Sequence, residues 1–433
     1  MMKRRYFVLA VLAATGLVLA AGLMALAARP TDADVVQTIA GDPLAAVVDA
    51  RTGRTFVAGL SLGAAPGVVS VLDTRTGAPV RTVAVGYAPF ALAVAERAGR
   101  VFVLNGDATI RILDGETGAS LRTIPLRAPP YAVAVDERAA RVFVDTADGM
   151  LDVLDAQTGT LLRAVALGGH PGGLAVDSRR ARVIVAVVTA TDERVVVLDE
   201  RGARLLHTTI IGRTPGKAGG AVAVDERSGQ AFVTQPNSGR LSIIDTGRGA
   251  LLRTSSVVSG PYAIAAVART GRIFVVGANG ASVSVLDAGT GRLLRTVAVG
   301  PLPVGVGIDP RADRVYVACQ GAATTAGLPV GPGSITVLDA RSGAALDSRS
   351  VRGVPVAVAV DPATARIVVA SRGGMGDSSG AATWAPGWLR RWLPFLPGFR
   401  WVLLIRLKDV RLFARVWPKT HDVAPHEAFQ RSI

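Results

Sequence analysis

Only one cysteine, Cys319, occurs in 433 residues, so no intrachain disulfide framework can support the fold. Histidine is nearly as scarce, with four residues. Of these, only His421 and His426 are close together, and they lack a Cys pair or a nearby third ligand. They therefore fall short of the common zinc patterns, and neither a metal nor a cofactor is expected. Aromatic residues make up 5% of the chain and charged residues 19%, yet half of all residues are apolar, which excludes a disordered chain. Lysine is almost absent, with four against 44 arginines, and that bias by itself points to no partner. The net charge of +15 is uneven. Residues 1–33 and 384–433 together carry +9, leaving +6 (35 basic minus 29 acidic) on the 350 residues between them. A nucleic-acid-binding body would show a basic stripe, so nucleic acid is not an expected partner.

What the chain has in quantity is glycine (49) and proline (24), distributed as turns between short apolar runs. Self-comparison shows one unit repeated through residues 45–370. Its first half is an apolar-Ala-Val-Asp strand, a polar turn and an Arg-Val-Phe-Val strand, as in Val135-Asp136 followed by Val142-Phe143-Val144. Eight copies occur, and the marker residues Val48, Val94, Val135, Val176, Val224, Val267, Ile308 and Val360 are spaced by 46, 41, 41, 48, 43, 41 and 52. That period is close to the ~40–45 residues of a four-stranded propeller blade. In seven units the second half is a strand ending in Leu-Asp or Ile-Asp, a turn containing Gly, and another strand such as residues 293–299. Alternation over four to six residues with β-branched enrichment argues for strands, and no helical period appears within the repeats. The expected fold is all-β, a β-propeller of eight four-stranded blades, with seven as the alternative.

The expected organisation has three parts. Residues 1–34 form a signal-anchor or signal peptide and linker, 35–370 the propeller, and 371–433 a Trp/Arg-rich insertion, a closing strand and a tail. Lys3-Arg4-Arg5 precedes an apolar run from Tyr6 to Ala28. At ~1.5 Å per residue this run can cross a ~30 Å hydrocarbon core as one N-terminal hydrophobic helix. Its length favours a retained anchor, whereas Ala25-Leu26-Ala27 offers a cleavage site that would release a secreted protein. In both cases the basic flank stays inside and the rest is exported, so an extracytoplasmic location is expected.

If the strands of a blade are a to d from the channel outward, residues 35–40 match strand d although they precede the first strand a. An N-terminal strand then completes the last blade, whose c strand falls at 402–407, and edges are removed. Strand d starts on the face opposite the d-to-a loops, so the anchor is expected to enter on that opposite face.

Ala231-Phe232-Val233-Thr234-Gln235 followed by Ser242-Ile243-Ile244-Asp245, with Gly-x-x-Pro connections, resembles the YVTN-repeat β-propellers. The resemblance covers about three quarters of the chain and implies an exported binding or scaffold module without a fixed chemistry. The Asn that ends the family's Tyr-Val-Thr-Asn-like strand appears here only at Asn105.

Candidate sites divide into three sets. The seven aspartates Asp73, Asp114, Asp155, Asp199, Asp245, Asp287 and Asp339 each start a turn ending near Gly. Such residues cap backbone amides, and in seven separate blades they cannot converge on one ion. The d-to-a loops carry Pro together with Phe90, Tyr131, His170 and Tyr262, which would either ring one channel mouth as a ligand rim or pack between blades. Finally, all five Trp lie outside the repeats, so the Trp docking motif of quinoprotein propellers is missing. Trp384, Trp388, Trp392 and Trp401 are crowded among Arg390, Arg391 and Arg400. Trp384, Trp388, Arg391 and Trp392 suit a partner-docking flap, a plug over the propeller or a membrane contact.

The long b-to-c connections fall in repeats 7, 8 and 1, which are neighbours in a closed ring. The expected function is a membrane-tethered, non-catalytic binding or scaffold module of the cell envelope, whose partner is a protein or another envelope component. Two alternatives stand beside it: a hydrolase or lyase working at the channel mouth, and polyanion binding through the basic C-terminal segment.

Overall fold

Each repeat carries four different apolar patterns, and these set the depth of its strands. In blade 2, strand b (Arg100–Asn105) is buried from its second residue onward, while strand d (Ser120–Pro125) is exposed except at Ile124. Strand a (Pro89–Ala95) is half-buried, and strand c (Thr109–Asp114) is buried through its centre. A near-continuous apolar strand needs cover on both faces, and only a neighbouring blade on each side can supply it.

The computed structural model describes residues 42–372, apart from 62–64, 202–203, 214–218, 323–331 and 352. They form seven four-stranded antiparallel sheets and a two-stranded sheet of Val354–Asp361 and Arg366–Arg372. Within each sheet the strands follow chain order, a-b-c-d. Inner strands neighbour one another in sequence, and Val354–Asp361 lies between strand a of blade 7 (Pro303–Asp309) and strand a of blade 1 (Asp42–Asp49), closing the ring. The expected all-β propeller is therefore observed, with seven four-stranded blades and an inner strand pair from the eighth repeat. The remaining strands expected for that repeat, at 35–40 and 402–407, lie outside the described residues, as do the N-terminal apolar run and the C-terminal segment. The last repeat strand runs to Arg372, two residues past the expected limit of 370.

The core sits between blades rather than within them. Phe102, Leu104, Ile110 and Ile112 of blade 2 pack with Val142, Val144 and Leu154 of blade 3. Phe143 and Val153 of blade 3 pack in turn with Val183, Val185 and Leu198 of blade 4. Phe56, Phe102, Phe143, Phe232 and Phe274 hold the same place in strand b of five blades, and all are fully buried.

Inner strands approach closely because small residues face large ones: a Cβ on Gly307 would lie 3.0 Å from Val360. Blades 4 and 5 come nearer still. The Gly173 amide donates to the Gly220 carbonyl at 2.9 Å, and a Cβ on Gly172 would overlap the Gly219 backbone.

The opposite rim is held by carboxylates. Asp73 accepts from the amide and the hydroxyl of Thr76, both at 2.8 Å, and those bonds hold its carboxyl below the usual range. Gly77 takes φ +72° to close that turn, which an L side chain would resist. Asp114, Asp155, Asp287 and Asp339 cap their turns in the same way.

A second carboxylate, at the end of strand a, meets the residue that follows strand c of the next blade. At the joint of blades 4 and 5, Thr246 donates to Asp177 at 2.6 Å. At the joint of blades 1 and 2 the matching residue is Gly115, where a Cβ would lie 2.8 Å from Asp49.

The joint of blades 3 and 4 is chemically different, because there Glu200 meets Asp136 and both are buried. Two carboxylates cannot hydrogen-bond unless they share a proton. Asp136 is held low by Glu200, by the Ala139 and Arg138 amides and by Ser178, against the burial that raises it. Glu200 is pushed up to about 8 by burial and by Asp136, so it is the group that keeps the proton at neutral pH. Arg141 fixes the segment by donating to the Glu200 carbonyl at 3.0 Å.

Candidate functional site

The d-to-a and b-to-c connections open on one face, here termed the top. Most b-to-c turns are short: only residues 106–108 separate the strands in blade 2, and 278–281 in blade 6. In blade 1 the gap runs from 61 to 67 and in blade 7 from 320 to 332, while the b strand of the eighth repeat ends on this face at Arg372. The two long described connections thus belong to the blades on either side of the eighth repeat in the ring.

The prolines of the top face sit in the blade joints. Pro89, Pro130, Pro171, Pro261 and Pro303 are buried at or next to the start of their a strands. A Cβ on Gly67 would overlap Pro89 of the next blade, and one on Gly333 would lie 2.7 Å from Pro355 Cγ. Glycine before strand c and proline at strand a are therefore two halves of one contact. The residue before the proline takes a positive φ at Ala88, Gly260 and Leu302.

The four candidate rim residues are distributed as follows. Phe90 and Tyr131 are the second residues of strand a in blades 2 and 3, and both are half-buried. Phe90 packs onto the core cluster of Phe102 and Val142, so much of its ring serves the blade joint. His170 opens strand a of blade 4 and is exposed. These three occupy consecutive blades, whereas Tyr262, 46% exposed, stands apart in blade 6. Trp384, Trp388, Arg391 and Trp392 lie outside the described residues.

Reading from the sequence overlooks Tyr87, which at 54% exposed is more accessible than any of the rim aromatics. Its backbone amide donates to Asp107 at 2.8 Å. The signal for it is the first variable place of Gly86-Tyr87-Ala88-Pro89, which the turn directs outward.

Also overlooked are buried polar groups under the top face. In blade 3, Asp145 accepts from the Ala132 amide at 2.6 Å, next to Tyr131, and Arg127 reaches Asp152 at 3.2 Å. Burial raises the Asp152 carboxyl, with Arg127 opposing and Asp148 adding to the rise. Across blades 4 and 5, Glu193 accepts from Gln235 at 3.0 Å and from Asn237 at 3.1 Å. Where the ring closes, Arg372 pairs with Asp42 at 2.6 Å, and burial raises Asp42 while lowering Arg372. Each of these groups is committed to a partner in its own blade or the next, and they are spread over blades 1, 3, 4 and 5 and the eighth repeat. Among the described residues no three His, Cys, Asp or Glu side chains gather in a metal-holding group. Cys319 is buried, and burial lifts its thiol to about 11.

Residues 65–269 match the family described as outer membrane protein assembly factor BamB. The match covers six of the blades, in whole or in part. Among solved structures, a computationally designed protein, Ika8, is similar over 75% of this chain and 92% of its own, with 19% identity and a TM-score of 0.59. BamB from Moraxella catarrhalis is similar over 75% of this chain and 94% of its own, with 16% identity and a TM-score of 0.52. At such identities the likeness is one of fold. No curated protein matches the chain.

Proposed function

We propose that the chain is an exported, membrane-tethered, non-catalytic β-propeller that binds a protein partner in the cell envelope through the top face of blades 7, 8 and 1. The observation that carries this reading is that the two longest described b-to-c connections, in blades 7 and 1, flank the eighth repeat, on a scaffold whose other described b-to-c turns are short. A repeat fold has no packing reason to lengthen the loops on both sides of one position on one face, and propellers host function in such loops. The match of residues 65–269 to the BamB family description supports an envelope binding module. The YVTN-like repeat motif agrees with it, as does the apolar run of residues 6–28 after Lys3-Arg4-Arg5.

On this reading Trp384, Trp388, Arg391 and Trp392 form a docking flap, since Trp and Arg are the residues most enriched at binding hot spots. Phe90, Tyr131, His170 and Tyr262 offer a secondary contact across blades 2, 3, 4 and 6. A hydrolase or lyase would need uncommitted groups converging at one mouth, whereas the top-face carboxylates Asp42, Asp145, Asp152 and Glu193 have partners.

The test is affinity capture from envelope extracts with the intact chain and with a chain whose residues 371–401 are replaced by a short Gly/Ser linker. Loss of specific partners is expected, and an unchanged partner set would overturn the flap. Binding that falls steeply with salt and is abolished by deleting 384–433 would instead favour a polyanion.

A further inference from the structure

The exposed apolar residues of this propeller are not scattered. Among the described residues thirteen large hydrophobic side chains are exposed, and eleven of them lie on outer strands d. Ten of those eleven fall in the first two places of their strand: Val80, Leu121, Leu161, Leu162, Leu205, Leu251, Leu252, Leu293, Leu294 and Leu346. Those places follow the c-to-d turn, on the face opposite the top. Blades 3, 5 and 6 carry two exposed leucines each there, between 36% and 50% exposed. Both leucines of each pair are exposed, so the edge is apolar at two successive residues that the neighbouring blade leaves uncovered.

Charge follows the same row. The third residue is Arg81, Arg122, Arg163, Arg253 and Arg295 in five of blades 1–6, with His207 in the sixth, and all are exposed. The outer strands of those six blades contain no Asp or Glu. In blades 1, 2, 4 and 6 the nearby turn carboxylate is matched within its own blade: Arg54 pairs with Asp73 at 3.0 Å, Arg100 with Asp114 at 3.4 Å, Arg182 with Asp199 at 3.7 Å and Arg272 with Asp287 at 2.8 Å, while Asp155 and Asp245 cap their turns. In blades 1–6 the strand-d arginines that have a partner reach a carbonyl, as for Arg122 on Thr158 at 3.1 Å and Arg253 on Thr290, so their charge stays uncompensated, whereas in blade 7 Arg349 pairs with Asp347.

A strand partner does not fit this edge well. In all seven four-stranded blades the pairing of strands c and d shifts register just where the leucines stand. Such irregularities bend an edge away from strand addition. A bilayer surface needs no register, and an apolar row followed by arginines suits its headgroup layer.

We infer that the c-to-d rim of blades 1–6 rests on an anionic lipid bilayer, with its leucines in the headgroup boundary and its arginines on lipid phosphates. This deepens the tethered reading and rests on it for orientation, because the expected N-terminal strand d would enter on this same face. The top face would then point away from the membrane, toward its partner.

Cys319 is fully buried, so single added cysteines can be labelled selectively. Leu252→Cys on the rim and Asn279→Cys on the top turn of blade 6 would carry an environment-sensitive fluorophore. The full chain would be mixed with phosphatidylcholine vesicles, or with vesicles containing 30% phosphatidylglycerol, both doped with nitroxide-labelled lipid. The expected result is at least twofold stronger quenching at 252 than at 279 on anionic vesicles. R253Q/R295Q should reduce it.

Flotation separates the two readings. A chain that floats with both vesicles while 252 stays as unquenched as 279 overturns the rim and keeps the tether. A chain that floats only with anionic vesicles, salt-sensitively and with 252 quenched, keeps the rim and overturns the tether. No flotation with either overturns both, and rim labels shielded by a second copy, seen as a cross-linked dimer on vesicles, overturn the rim.

Discussion

Replacing Glu200 by Gln should remove a loss of stability that the wild-type chain undergoes between about pH 5 and 8. Glu200 is raised to about 8 by burial and by Asp136, from an ordinary value of 4.5. Below 4.5 it is protonated in both folded and unfolded chains. Between 4.5 and about 8 only the folded chain keeps the proton, so the folded state binds more protons and stability falls as pH rises. At about 1.4 kcal/mol per pH unit, that gap sets a ceiling of about 5 kcal/mol.

Asp136 acts in the other direction and elsewhere. Its lowered carboxyl contributes stability that is present above 3.8 and lost as pH falls through its folded value, below the window in question. Gln has nearly the size of Glu and its amide can donate to Asp136 at every pH, so E200Q should lack the slope while keeping the joint. E200T, which copies Thr246 at the next joint, should behave alike. Urea unfolding of the wild type and both variants at pH 5, 6.5 and 8, at constant salt, reads the difference. The wild type should lose a few kcal/mol relative to E200Q across that range. Parallel stability profiles would refute the shared proton.

Three further outcomes follow from the packing. Phe143→Ala empties a fully buried place between blades 3 and 4 and should cost ~3–5 kcal/mol in chemical unfolding. Gly172→Val drives a side chain into the Gly219 backbone and should cost about 1–3 kcal/mol or more, whereas Gly168→Val, with open space around it, should cost only the strain of its positive φ. Comparing thermal midpoints of the two variants checks the close approach of blades 4 and 5. Cys319, with its thiol at about 11 and no exposure, should resist maleimide at pH 7.5 in the folded chain and react after denaturation, as mass spectrometry would show.

The repeat period, the strand order, the capped Asp turns and the long b-to-c connections of repeats 7 and 1 were legible in the residues alone. Each is written in short-range pattern: a two-residue alternation, an Asp followed by Thr and Gly, a spacing between marker valines. The candidate rim was legible only in part. Phe90 and Tyr131 share a sequence position with Tyr262, but burial against the next blade sets Phe90 apart, and Tyr87 was passed over beside it.

What the sequence by itself determined is therefore the blade, because a blade is made of neighbours in the chain. The joints were decided only in the ring. Asp177 meets Thr246 across 69 residues, Arg372 meets Asp42, and Asp136 meets Glu200 rather than a hydroxyl or a glycine. No local pattern tells which carboxylate Glu200 meets, since the same place holds Thr74, Gly115, Ala156, Thr246, Ala288 and Ala340 in the other repeats. Its proton, and the emergence of the strand-d leucines as one rim, arise because closing the ring buries one side of every blade and leaves the last strand of each without a neighbour.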